Sequence, residues 1–195
     1  GGKARGLAFI DSLIKRNNLL HKFPGVILTI PRTVVLSTDV FDEFMERNHL
    51  YQIGLSSISD EEILRAFIAA TLPVRIHQNM LTFMQVCRNP IAIRSSSLLE
   101  DSHYQPFAGV YSTYMVPKIE HNDILMIEML GNAIKSVYAS VFFKESKAYM
   151  SATSNVIDEE RMGIVLQEVT GKAYGNRFYP AISGVGTFTL TYIYS

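Results

Sequence analysis

The sequence predicts an α+β fold, and three observations carry that expectation. Ile127, Leu130, Ile134, Val137 and Val141 recur at helical spacing and mark a long helix over 122–143. The segment MGIVLQEV at 162–169 reads as a strand, rich in aliphatic and β-branched residues. Helical and strand signals interleave along the chain without a strict strand–helix–strand rhythm. At 195 residues and 48% hydrophobic content the chain can bury one substantial core, so one compact unit is expected.

Taken in order, ARGLAFIDSLIKRN at 4–17 places Leu7, Ile10, Leu13 and Ile14 on one helical stripe. It is entered directly from Gly1-Gly2-Lys3, which sets Lys3 at a helix N-terminus. GVILTIPRTVVLST at 25–38 is β-branched but broken by Pro31, so two short extended segments are expected there. Ser37, Thr38 and Asp39 offer a cap for a helix through VFDEFMERN. Ser59 and Glu62 have capping-box spacing and start a helix that Pro73 ends, and a further helix is expected over 74–86. PIAIRS, introduced by Asn89, predicts a short buried strand with Arg94 at its exit. After the long helix, 144–150 continues or follows it, and 151–160 is expected as an exposed loop. GKAYGNRF has the Gly and Asn content of a hairpin turn. No internal repeat or low-complexity segment is visible.

Lys plus Arg and Asp plus Glu number 18 each, so no general field draws the chain to nucleic acid or to an anionic membrane. Any anion it binds must be gripped locally. The lone cysteine, Cys87, cannot form an internal disulfide and points to a reducing, cytoplasmic setting. No apolar run approaches the ~20 residues of a membrane span, and no signal pattern opens the sequence. The five histidines show no spacing typical of a metal site, so no zinc is expected.

The chemistry concentrates in IRSSSLLEDSHYQPFAGVYSTYMVP, residues 93–117. A strand ending in Arg94-Ser95-Ser96-Ser97 offers a planar guanidinium with hydroxyl and backbone donors, a set that wraps phosphate oxygens well. Gly109 lacks a Cβ where backbone must approach a ligand, and Ser112 and Thr113 add hydroxyls. The residues alone leave two readings open: a polyphosphate cradle, or a capped turn with an ion pair from Arg94 to Glu100 or Asp101.

Several segments bear on that choice. GGKARGL at 1–7, IAIRSSSLLED at 91–101, FAGVYSTY at 107–114, AIKSVYASVF at 133–142 and MGIVLQEVTG at 162–171 resemble, in order and spacing, the N-terminal nucleotide-binding domain of the phosphoenolpyruvate synthase and pyruvate, phosphate dikinase family. The resemblance implies an ATP-grasp fold, with ATP held between two α+β subdomains and its β-phosphate passed to a histidine on a separate swivelling domain. It implies further that Lys3 and Arg94 meet the polyphosphate and that Gly109 and Thr113 belong to the glycine turn covering it. Gln167, Glu168 and Val169 fall on the strand that receives the adenine side. Tyr138 stands where the family has tryptophan, and Ser97-Leu98-Leu99 replaces its Ala-Thr-Ala.

On this resemblance the 195 residues form one partial domain of a larger phosphotransferase, inactive alone, that takes Mg²⁺ on acidic ligands outside this chain and transfers phosphate through a phosphohistidine to pyruvate. The remaining domains of the parent enzyme would be its partners, and neither the phosphohistidine nor the pyruvate-binding domain is present in these residues. Rifampicin and glucan are alternative acceptors. A second reading, from a different class, is a non-catalytic nucleotide-sensing or interaction module built on half of an ATP-grasp domain.

Overall fold

The structure, a computed structural model, describes residues 2–97, 111–152 and 160–184. Seven α-helices and six strands are present among them. The helices are α1 (Gly2–Arg16), α2 (Thr38–Arg47), α3 (Leu50–Leu55), α4 (Asp60–Ala69), α5 (Val74–Val86), α6 (Asp123–Ser140) and α7 (Lys144–Ala152). The strands are β1 (Thr33–Leu36), β2 (Ile91–Ser96), β3 (Thr113–Val116), β4 (Gly163–Glu168), β5 (Lys172–Tyr174) and β6 (Arg177–Tyr179).

Four strands form one antiparallel sheet in the order β1-β4-β2-β3, so β4, the last of the four in the chain, lies between β1 and β2. One face is covered by helices. Strand alternation sends Ile91 and Ile93 of β2, Ile164 and Leu166 of β4, Leu36 of β1 and Val116 of β3 to that side, and all six are buried. α6 runs through the middle of the helical layer and touches β2, β3, α4 and α5. Its Leu130, Ile134, Val137 and Tyr138 are fully buried, and Phe41 and Phe44 of α2 pack on Tyr138 with ring centroids 5.1 and 5.5 Å away.

Local signals explain the helix boundaries. The Ser59 hydroxyl accepts from the Glu62 amide while the Glu62 carboxylate accepts from the Ser59 amide, completing the expected capping box of α4. Asn122 caps α6 by accepting from the Leu125 amide. Two differences from the sequence reading have physical causes. Residues 26–32 form no strand, because Pro31 lacks the N–H a ladder needs, and only Thr33–Leu36 pairs. The short helix α3 had no periodic signal; it follows His49, whose left-handed φ of 53° ends α2 and redirects the chain. Gly54 lets α3 approach the segment between α6 and α7, since a Cβ there would lie 2.7 Å from the Phe142 ring.

Asp123–Ala152, which holds α6 and α7, is long and apolar enough by composition to cross a membrane, although no single apolar run in the sequence reached that length. Most of it is buried inside the fold, as befits a core helix. The hairpin β5–β6 turns within the segment expected to turn, with Gly175 at a φ of 64° and Tyr174 stacked on Tyr179 at 4.5 Å.

Candidate functional site on the open face of the sheet

The second face of the sheet is where the sequence-predicted residues gather. In the two central strands every side chain is buried except Arg94 and Gln167. Antiparallel register pairs Arg94 with Thr113 on β3 and with Val165 on β4, and pairs Gln167 with Ala92. Arg94 and Gln167 are therefore diagonal neighbours on one face, about 7–8 Å apart between Cα atoms. With Met115, Pro31 and residues 168–170 they line an open depression of about 390 Å³. Five of the seven residues singled out from the sequence, Arg94, Thr113, Gln167, Glu168 and Val169, share its wall.

Arg94 is exposed, and no described residue pairs with its guanidinium. A strand-borne arginine whose charge is not neutralised locally can still accept an anion, and the fork geometry suits a phosphate or carboxylate. The serines after it, expected as phosphate donors, are engaged elsewhere in part. Ser95, Ser96 and Ser97 are all buried. The Ser96 hydroxyl accepts from the Ala4 amide at 3.2 Å and the Ser97 carbonyl accepts from the Gly2 amide at 3.3 Å. These bonds seat the first turn of α1 on the end of β2 and bring Lys3 beside the strand that carries Arg94. They also occupy two amides of that turn, which a ligand at the helix N-terminus would otherwise have used. Lys3 does not line the depression itself.

At the other end of the depression Gln167 is half-buried and its Nε2 donates to Thr33 Oγ1 at 3.0 Å. Glu168 turns its side chain to the opposite face. Its carboxylate accepts from the Arg88 and Asn89 amides at 2.8 and 3.0 Å and pairs with Arg32 at 2.9 Å. Burial pushes this carboxyl upward, but the Arg88 amide, the Arg32 guanidinium and the Asn89 amide together hold it below the ordinary glutamate range. Only the backbone of Glu168 faces the depression, and its N–H is already bonded to the Arg32 carbonyl at 2.9 Å. The Val169 N–H likewise donates to the Pro90 carbonyl at 2.8 Å.

Gly109, together with Glu100, Asp101 and His103, lies outside the described residues. Among the described residues no group of three or more His, Cys, Asp and Glu side chains is placed to hold a metal ion. Sequence reasoning missed Thr33, Arg32 and Met115: the first two meet β4 across more than 130 residues of chain, a pairing visible only once the β1–β4 register is known.

The sequence matches the family described as pyruvate phosphate dikinase, AMP/ATP-binding domain, over residues 1–192. It is 29% identical over 143 residues to a protein of Bacillus subtilis (strain 168) named uncharacterized phosphotransferase YvkC. The matched segment is 72% of this chain and only 16% of that protein, so the chain spans a small part of its relative's length. With a match over nearly all of its residues, the chain belongs to the pyruvate phosphate dikinase, AMP/ATP-binding domain family.

Proposed function

We propose that these residues form the first subdomain of an ATP-grasp nucleotide site, and that ATP lies across the open face of the sheet with its polyphosphate toward Arg94 and its base toward Gln167. The observation that carries this reading is the placement of Arg94, Thr113 and Gln167 on one depression, with the Arg94 charge unpaired by any described residue. Thr113 stands directly across from Arg94 and offers a hydroxyl donor to the same phosphate oxygens. Lys3, held at the β2 end through its neighbours' bonds to Ser96 and Ser97, adds positive charge next to the phosphate end. Gly109, outside the described residues, is assigned to the phosphate end on the family resemblance alone. Glu168 and Val169 contribute main-chain surface beside the base.

In the whole protein, a second subdomain supplies the acidic ligands of Mg²⁺, which neutralises the polyphosphate, and the phosphoryl group passes by way of a histidine on another domain to pyruvate. These residues do not fix the final acceptor, and rifampicin and a glucan are the alternatives to pyruvate. The chain acts in the cytoplasm, where ATP is its partner together with the remaining domains of the parent enzyme.

Calorimetric titration of MgATP tests the reading. Saturable binding that is lost in Arg94→Ala and weakened in Lys3→Ala is the expected result. Binding of equal strength in wild type and Arg94→Ala would overturn it.

A further inference from the structure

Met115 is placed unlike the other methionines of the chain. Six of the eight are at most 2% exposed and Met129 packs against the core, whereas Met115 is 63% exposed on the edge strand β3. Strand alternation explains the side it faces: Val116 goes to the core, so Met115 goes with Thr113 to the open face. There its thioether lines the depression that also holds Arg94 and Gln167.

The register fixes its neighbours. Met115 pairs with Ala92, which pairs on its other side with Gln167, so one row across three strands has a low alanine floor between two taller walls. In the next row Thr113 pairs with Arg94. Met115 and Arg94 are therefore diagonal neighbours, about 7–8 Å apart between Cα atoms and within reach of each other as long side chains. The Arg94 guanidinium has no partner among the described residues, and a thioether offers it only a weak acceptor.

We propose that Met115 is a reversible oxidation site, at which hydrogen peroxide converts the thioether to a sulfoxide that engages Arg94 and lowers the affinity of the depression for ATP. The proposal rests on the nucleotide reading above and adds a control on it. A sulfur lone pair attacks one peroxide oxygen, and the S–O bond forms as the O–O bond breaks. The departing hydroxide takes the remaining proton of the transferred oxygen and leaves as water. Sulfur loses two electrons and the peroxide gains them. The product is polar, and its oxygen accepts a hydrogen bond from the guanidinium that otherwise meets phosphate. Methionine sulfoxide reductases return it to the thioether. Occupancy acts in the opposite direction: a nucleotide lying over the open face covers Met115 and slows the oxidation that would expel it.

The test treats the natural protein at full length with limiting hydrogen peroxide, with and without MgATP, and follows each methionine by peptide mass spectrometry. MgATP is titrated by calorimetry before and after treatment, in wild type and in Met115→Leu. Met115 should be oxidised ahead of the other methionines of these residues, and MgATP should slow that step several-fold. The oxidised protein should bind MgATP about tenfold more weakly, the size expected when one charge-assisted hydrogen bond is diverted. Reductase treatment should return the original affinity, and Met115→Leu should keep its own starting affinity through the same peroxide treatment. Oxidation of Met115 no faster than that of the buried methionines, or unchanged affinity once it is oxidised, overturns the inference and leaves the nucleotide reading in place. An equal loss of affinity in Met115→Leu traces the effect to another residue and also overturns it. MgATP that binds without slowing the oxidation lies elsewhere, which removes the open-face reading together with this inference. Failure of the untreated wild type to bind MgATP removes the nucleotide reading, and this inference with it.

Discussion

Arg94 stands directly opposite Thr113 in the β2–β3 register, on a strand whose other side chains are all buried. Exposing one cation on an otherwise buried strand does nothing for the core, so its value lies in what the guanidinium can hold. Arg94→Lys keeps the charge and loses the planar fork. We expect MgATP binding to weaken by roughly tenfold, in line with about 1.5 kcal/mol for a charge-assisted hydrogen bond. The melting temperature should stay within about 1–2 °C of wild type, because the side chain is exposed and unpaired among the described residues. A lysine variant with undiminished affinity would show that only net charge matters at this position.

Glu168 ties three parts of the fold together, the residues before β2, the residue before β1, and the end of β4. Its folded-state pKa is depressed, so the unfolded chain binds the proton more readily. The stability this group contributes is present above the unfolded glutamate value, about 4.3, and is lost as pH falls through the lower folded value. Urea midpoints should show Glu168→Gln less stable than wild type by about 1–3 kcal/mol at pH 7, through weakening of bonds to a buried charged acceptor. The gap should narrow as pH falls below about 4. A gap that stays constant with pH would mean that the carboxylate charge contributes nothing and that packing alone is lost.

The parts of this fold that the sequence showed are those with local causes. The capping box at Ser59 and Glu62, the apolar stripe of α6 and the strand at 163–168 each depend on residues close together in the chain, and each formed where expected. What stayed hidden depends on pairing across distance. Ser96 and Ser97 look like donors until α1 is placed on them, and Glu168 looks like a ligand until Arg32 and the Arg88 and Asn89 amides are found to fill its oxygens. Thr33 gave no signal at all, since its role exists only opposite Gln167. The side of the sheet that Arg94 and Gln167 share was legible only in part: alternation sets the side within each strand, but only the register sets the two strands together.

The Tyr138 hydroxyl is buried with no hydrogen-bond partner among the described residues, and its ring packs against Phe41 and Phe44. Burial pushes the phenol far above its usual range, so it stays neutral at every physiological pH. Tyr138→Phe removes an unsatisfied polar atom and keeps the ring. Thermal unfolding should therefore show it equal to wild type or more stable by up to about 1 kcal/mol, whereas Tyr138→Ala should cost about 3–5 kcal/mol. A clear loss in the phenylalanine variant would reveal a partner for the hydroxyl.

Ser96 lies two residues beyond Arg94, is fully buried, and holds the first turn of α1 through the Ala4 amide. Ser96→Ala leaves that amide with no acceptor, a loss of about 1–2 kcal/mol if the turn stays in place and less if it lifts away. The Gly2 amide still donates to the Ser97 carbonyl, but the one buried side chain of α1, Ile14, lies at the far end of the helix, so the first turn is the part that would loosen. Hydrogen exchange in the first turn of α1 should accelerate in this variant while exchange in β2 and β4 does not change. MgATP should bind more weakly, although neither Arg94 nor the depression has been altered, because Lys3 is no longer kept at the phosphate end. Faster exchange with unchanged affinity would separate the two effects and remove Lys3 from the site; unchanged exchange would show that the α1 turn is held by contacts other than the Ser96 hydroxyl.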